Sequence, residues 1–186
     1  MTKNLFDALS SIEYTVVASD GKTVIDPGKS PNPKISSLVF DSRDVKPGSL
    51  FFALPGTHTT GNVFIPKAIE NGAAAIVFEI GSDGEAGKTL EESFERVSVK
   101  AMPEPRQNST PPVFIRVENA RKVMAPVAAQ FYDNPSSKLG IIGVTGTEGK
   151  SSTVSFVWQL LRLTGHKAGF ISTVQYSLGD DKLKLF

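Results

Sequence analysis

The chain has 186 residues, enough for one medium-sized domain or for one domain and part of a second. Lys and Arg number 20 against 19 Asp and Glu, so the net charge of +1 gives no long-range attraction for nucleic acid or an anionic membrane. With no cysteine a disulfide framework and a thiolate zinc site are excluded, and with no apolar run near the roughly 18 residues that cross a bilayer we expect a soluble, cytoplasmic protein.

Short apolar runs alternate with polar turns from Ile35 to Phe78, which predicts strands joined by loops. Pro66 suits the first turn of a helix, and Gly72 suits the position just after the end of that helix. The segment from Leu50 to Glu79 therefore predicts a strand, a helix and a second strand, the unit from which parallel sheets are built. We accordingly predict an α/β fold.

This periodicity fails between Gly81 and Pro112, where the chain is dense in Gly, Pro, Ser and charged residues. Such a composition predicts a surface insertion at about 81–112, in which Leu90 to Val97 are the residues able to form a helix. The apolar run from Val113 to Val117 predicts that the chain returns to the sheet with another strand.

A helix is predicted to begin at Asn119, whose side chain is a good amino-terminal cap. Pro126 removes a backbone hydrogen bond from this helix, so we expect either a bend there or a restart of the helix. The short polar stretch from Ser136 to Leu139 predicts a domain junction. The predicted domains therefore span residues 1–137 and 138–186.

The residues that follow the junction have the pattern of a phosphate-binding loop. Leu139 to Val144 predicts an apolar strand, Thr145 to Gly149 a glycine-rich turn, and Lys150 to Thr164 a helix. In this order the backbone N–H groups of the turn and the positive end of the helix converge on one point. A polyphosphate can bind there.

Each residue type in this loop has a chemical reason to be there. Gly146 and Gly149 allow backbone angles that are closed to other residues. Lys150 supplies charge to the terminal phosphates and is the candidate catalytic residue, and the hydroxyl of Ser151 or Ser152 is the candidate Mg²⁺ ligand, with Ser151 preferred. The candidate ATP-binding residues are Thr145, Gly146, Thr147, Glu148, Gly149, Lys150, Ser151 and Ser152.

The usual phosphate-loop pattern has a glycine five positions before Gly149, where this chain has Val144, and the nearest glycine is Gly143. The nine residues TGTEGKSST, 145–153, resemble the Mur ligase form of the loop, in which T-G-T-x-G-K precedes hydroxyl residues. That form explains the missing glycine. Members of the family often carry asparagine at the position of Glu148, so this chain differs there.

Two further stretches resemble the same family. VFDSRDVKPGSLFFALPGTHTTGNVFIPKAIENGAAAIVFE, at 39–79, resembles its uridine-nucleotide-binding amino-terminal domain. FYDNPSSKLGIIGVTGT, at 131–147, resembles the entry to the central domain of the MurE type more than that of the MurF type. The resemblance implies a Rossmann-like, three-layer UDP-MurNAc-binding domain followed by the start of a P-loop central domain.

The resemblance also implies a set of substrate-binding residues. Those expected at the UDP-MurNAc site are Phe40, through its backbone, Ser42, Thr57, His58 and Thr59. For Asp41 and Arg43, a structural ion pair and a ligand role both stay open. Outside these sites, we expect Trp158 to pack in the apolar stripe of its helix and His166 to cap a helix end.

The activity implied by the resemblance is ATP-dependent amide formation. ATP phosphorylates the terminal carboxylate of UDP-N-acetylmuramoyl-L-alanyl-D-glutamate, and the amine of a third amino acid attacks the acyl phosphate. The implied cofactors are ATP and Mg²⁺, the implied partners are the UDP-MurNAc-dipeptide and an amino acid, and a monomer is favoured. Family members continue far beyond residue 186, so we expect this polypeptide alone to lack ligase activity.

Two alternatives stay open on the sequence. One is a MurF-type ligase, which adds D-alanyl-D-alanine to the UDP-MurNAc-tripeptide. The other is a nucleotide-binding module that binds ATP without catalysis. A nucleic-acid binder is disfavoured, because the charge is balanced and the basic residues are not clustered.

Overall fold

The computed structural model describes residues 1–56, 61–79, 111–179 and 184–185. The chain divides into two compact units: unit 1 is Met1–Lys138 and unit 2 is Leu139–Phe186. The helix predicted at Leu90 to Val97, and nearly all of the predicted insertion around it, lie outside the described residues. In the part of the chain that is described, no helix combines the length and apolar character needed to cross a membrane.

Unit 1 is built around a five-stranded sheet. The strands of unit 1 are β1 Lys3–Asn4, β2 Thr15–Val17, β3 Lys34–Ile35, β4 Ser37–Val39, β5 Ser49–Phe52, β6 Ala75–Glu79 and β7 Val113–Val117. The α-helices of unit 1 are α1 Leu5–Ala8, α2 Ile65–Glu70 and α3 Ala120–Phe131. The order in the sheet is β2-β7-β6-β5-β4, in which β4 to β7 run parallel and β2 is antiparallel to β7 at one edge. β1 and β3 form a separate antiparallel pair. The predicted α/β fold with a mainly parallel sheet is confirmed.

Alternation of side chains along the strands gives this sheet two apolar faces. Leu50 and Phe52 of β5 belong to a buried cluster that also contains residues of α1 and α3. Phe51, between them, belongs to a second cluster with Ile65 and Ala68 of α2. Burying one Leu or Phe side chain contributes about 1.5–3 kcal/mol. Packing on both faces therefore holds the parallel strands in register, with their carboxyl ends at one edge of the sheet.

Helix α3 begins as predicted, because the Asn119 side chain accepts a hydrogen bond from the Lys122 N–H at 2.8 Å. The helix continues without interruption through Pro126, so a restart there is wrong. Val127 and Phe131 lie beyond the proline and are fully or almost fully buried against the sheet. This tertiary packing offsets the backbone hydrogen bond that proline cannot make.

Unit 2 contains one long helix and a three-stranded antiparallel sheet. Its elements are α4 Lys150–Leu163, β8 Phe170–Ile171, β9 Gln175–Ser177 and β10 Lys184–Leu185. The helix predicted at 150–164 is confirmed to within one residue. As predicted, Trp158 packs: its Nε1 donates to the Ala168 carbonyl at 3.0 Å, and its ring lies 5.0 Å from that of Phe170.

The strand predicted from Leu139 to Val144 is wrong, because these residues have no regular structure. Leu139, Ile141 and Ile142 are 67%, 72% and 65% exposed. An apolar run becomes a buried strand only where neighbouring strands pair with it. In the described part of unit 2, the strands pair only among themselves and leave this run without a partner.

Candidate nucleotide-binding sites

The glycine-rich turn before α4 has the backbone shape that an anion-binding loop needs. Gly146 has φ 150° and Gly149 has φ 74°, both outside the range that other residues adopt easily. No atom lies within 4 Å of the position that a Cβ on Gly149 would take, so the backbone angle, not a lack of space, requires glycine there. The helix begins at the next residue, Lys150.

The backbone N–H groups of this turn are available to a ligand. From Thr145 to Ser152, none of them donates to an acceptor among the residues that the structure describes. The first helical bond at this end is from the Thr153 N–H to the Gly149 carbonyl, at 2.9 Å. The unpaired donors and the positive end of α4 together favour an anion at this position.

Lys150 lies back over the turn. Its Nζ donates to the carbonyl oxygens of Gly146, at 2.7 Å, and of Thr147, at 2.8 Å. The described residues include no carboxylate in a salt bridge with this ammonium. The positive charge therefore lies beside the unpaired N–H groups, and no carboxylate in the described ranges neutralises it.

The same turn also fits magnesium bound together with phosphate. Ser151 and Ser152 stand in the first turn of α4, half-buried and exposed respectively, and each supplies one hydroxyl oxygen. In the described ranges no group of three or more His, Cys, Asp or Glu side chains could hold a metal ion by itself. Mg²⁺ commonly takes most of its ligands from water and substrate phosphates, so a single hydroxyl beside a phosphate site is a suitable donor.

The second candidate site is the turn that follows β4. Phe40 is 67% exposed, whereas Ser42 is only 8% exposed. The Asn71 side chain, at the carboxyl end of α2, donates to the Ser42 carbonyl at 2.8 Å and fastens this turn to the helix. Because β4 is a parallel edge strand, the turn lies at the carboxyl edge of the sheet, where open α/β sheets bind ligands.

Asp41 and Arg43 form an ion pair within the same turn. Arg43 Nη2 lies 2.5 Å from Asp41 Oδ2, and the Arg43 backbone N–H donates to Asp41 Oδ1 at 2.9 Å. These side-chain and backbone hydrogen bonds from Arg43 lower the pKa of the Asp41 carboxyl from 3.8 to about 2. Two roles were open for Asp41 and Arg43, a structural ion pair and a ligand role. The structure shows the ion pair, together with a backbone contact within the turn.

The other predicted substrate residues, Thr57, His58 and Thr59, lie outside the described residues. Before them, the Pro55 carbonyl accepts a hydrogen bond from Arg121 Nη2 of α3 at 2.6 Å. Sequence reasoning missed both Arg121 and Asn71, because each acts on a residue far away in the chain. The one local sequence feature at Asn71 is its place just before Gly72 at the end of a predicted helix. That feature indicates where α2 ends and not that Asn71 contacts the Ser42 turn.

Comparison with known proteins identifies the family. A profile described as "Mur ligase family, catalytic domain" matches residues 34–132, which is more than half of the chain. The chain belongs to the Mur ligase family. In this Mur ligase chain the match covers β3 to α3 of unit 1, including the turn that contains Ser42.

Two relatives are named UDP-N-acetylmuramyl-tripeptide synthetase. The protein of Treponema denticola is 41% identical over 178 residues, 95% of this chain and 29% of that protein. The protein of Treponema pallidum is 48% identical over 149 residues, 80% of this chain and 23% of that protein. A UDP-N-acetylmuramoyl-L-alanyl-D-glutamate--2,6-diaminopimelate ligase of Clostridium tetani is 33% identical over 179 residues, which are 96% of this chain and 30% of that protein. The chain spans less than a third of the length of these relatives.

Among solved structures, MurF from Acinetobacter baumannii is similar, with a TM-score of 0.54 and 16% identity. The likeness covers 88% of this chain and 28% of that one. At this identity the likeness supports a shared fold and carries no information on the substrate.

Proposed function

We propose that this Mur ligase chain binds ATP at the turn before α4 and a uridine nucleotide at the turn after β4. It would thereby form part of a cytoplasmic ligase that adds the third amino acid to UDP-MurNAc-L-alanyl-D-glutamate. ATP, Mg²⁺, the UDP-MurNAc-dipeptide and an amino acid are its proposed ligands. Unit 1 is the proposed UDP-MurNAc-binding domain, of Rossmann-like type, and unit 2 contains the proposed P-loop.

One observation carries the ATP proposal. Among the described residues, no acceptor pairs with the N–H groups of the turn from Thr145 to Gly149, and the Lys150 ammonium lies within hydrogen-bonding distance of the same turn. Unpaired N–H groups and an ammonium without a carboxylate partner together favour an anion in the space beside them. The order of turn, lysine and hydroxyls is that of a site for the terminal phosphates of a nucleotide.

The uridine proposal rests on unit 1. The Phe40 to Arg43 turn follows a parallel strand at the carboxyl edge of the sheet and is held there by Asn71. Ser42 is nearly buried in this turn, and its hydroxyl is the proposed contact with the uridine diphosphate. The names of the relatives, at 33% to 48% identity, support a UDP-linked substrate and favour the MurE type over the MurF type.

In the proposed reaction a carboxylate oxygen of the dipeptide bonds to the terminal phosphorus of ATP, and ADP leaves. The amine of the incoming amino acid then bonds to the acyl carbon, inorganic phosphate leaves, and the amine loses a proton. Lys150 and the N–H groups of the turn offset the negative charge on the transferring phosphoryl group. The Ser151 hydroxyl would hold Mg²⁺, which would supply further neutralisation of the phosphates.

Calorimetry with the UDP-linked dipeptide and with MgATP separates this function from that of a nucleotide-binding module. We expect both ligands to bind the 186-residue chain. Ser42→Ala should weaken binding of the dipeptide about 2- to 10-fold, the cost of one hydrogen bond, and leave MgATP unchanged. Ser10→Ala, in an exposed turn of the same unit, is the matched control. Binding of MgATP without any binding of the UDP-linked dipeptide would favour the non-catalytic module.

A further inference from the structure

Glu148 places a negative charge inside the turn that is proposed to bind phosphate. The residue is exposed and lies between Gly146 and Gly149, whose positive φ angles shape the turn. Within the described ranges Glu148 takes part in no salt bridge. From residue 139 to residue 161, Glu148 and Lys150 are the only charged side chains, so the formal charge of the turn is zero.

A carboxylate at this position opposes the binding of a free polyphosphate. Glu148 is two residues from Lys150, and consecutive Cα atoms are about 3.8 Å apart, so the Cα atoms of the two residues lie within about 8 Å of each other, roughly one Debye length. The Lys150 ammonium is already shared between two carbonyl oxygens of the turn. A phosphate that arrives without a cation is therefore attracted by one side chain and repelled by the other.

A divalent cation changes this balance. Mg²⁺ bound to the nucleotide would cancel two of its negative charges, so the repulsion between the nucleotide and Glu148 would be weaker than for the free nucleotide. We infer that Glu148 is a specificity-determining residue that makes this turn select a nucleotide carrying a divalent cation over the free nucleotide. The inference rests on the proposed ATP site and assigns a role to a position that the general phosphate-loop pattern leaves open.

The effect is measurable as a ratio of dissociation constants, for ATP with EDTA over ATP with excess Mg²⁺. Removing one unit charge within about one Debye length of the phosphates, roughly 10 Å, should lower this ratio on the order of tenfold at moderate ionic strength. The change should come mainly from tighter binding of free ATP. Glu148→Gln has nearly the same shape as glutamate and removes only the charge, so it isolates this term.

The experiment is isothermal titration calorimetry on the 186-residue chain, with ATP in both conditions at one fixed ionic strength. Glu148→Asp retains the charge and should keep the wild-type ratio within about threefold, since the carboxylate moves by one methylene. Glu13→Gln removes an exposed carboxylate from unit 1 and serves as the control for net charge. We expect only Glu148→Gln to lower the ratio.

The outcomes separate this inference from the function on which it rests. If the wild type binds MgATP and Glu148→Gln leaves the ratio unchanged, the inference is overturned and the ATP site stands. An equal fall in Glu148→Gln and Glu13→Gln also overturns it, because the effect would then be one of net charge. If the folded wild type binds no ATP in either condition, the proposed ATP site fails and the inference fails with it.

Discussion

Replacing Lys150 by methionine removes the ammonium from the phosphate loop and keeps an unbranched side chain. The two carbonyl oxygens that accept from Nζ, at 2.7 and 2.8 Å, belong to the exposed residues Gly146 and Thr147. Water can replace the lost donor, so the stability of the fold should change little. A bound phosphate instead loses a hydrogen bond from a charged group, about 1.5–3 kcal/mol or roughly a 10- to 150-fold rise in Kd.

Calorimetry with MgATP measures this loss directly, and thermal unfolding followed by circular dichroism checks that Lys150→Met still folds. Lys138→Met, at another exposed lysine, is the matched control and should bind MgATP as the wild type does. Equal affinities for the wild type and Lys150→Met, with unfolding curves that coincide, would refute the placement of ATP at this turn. If Lys150→Met and Lys138→Met lost affinity for MgATP equally, the loss would be due to net charge and not to a contact made by Lys150.

Two further predictions concern stability. Gly61→Ala brings a methyl group within 2.3 Å of the Leu54 carbonyl oxygen and should lower the free energy of unfolding by about 1–3 kcal/mol. Gly140→Ala is the control: no atom lies within 4 Å of the added methyl group, so the midpoint of thermal unfolding should not change. Asp41 has a folded pKa of about 2 against 3.8, because Arg43 donates hydrogen bonds to it. The stabilisation that the Asp41 carboxylate gives the folded state is therefore complete above pH 3.8 and lost as the pH falls to about 2. In urea unfolding, the free energy of unfolding should fall more steeply with falling pH in the wild type than in Asp41→Asn. Equal pH dependence in the two proteins would contradict this.

Local patterns were sufficient where neighbouring residues determine the structure. Asn119 is the amino-terminal cap of α3, and α4 begins at Lys150 directly after the left-handed Gly149. Both signals depend on backbone geometry within one turn of helix, which the residues themselves specify. The strand–helix–strand segment from Leu50 to Glu79 was equally accessible, since alternating runs and helix-end residues are local features.

Long-range contacts could not be predicted in this way. The Ser42 turn depends on Asn71, 29 residues later in the chain, and Glu79 accepts a hydrogen bond from the Ala120 N–H across 41 residues. The antiparallel edge strand β2 was not predicted either, because its three residues are too few for a periodic signal. Such contacts depend on which elements the folded chain brings together.

The sequence alone determined that this protein is an α/β chain with a lysine and two hydroxyls after a glycine turn, because hydrophobic period and glycine placement act locally. Tertiary structure decided whether each apolar run becomes a strand. Phe51 and Phe52 lie in a strand because β4 and β6 pair with it on both sides. Ile141 and Ile142 are as apolar, yet they stay irregular and exposed, because a strand is stabilised only by backbone partners supplied from elsewhere in the fold.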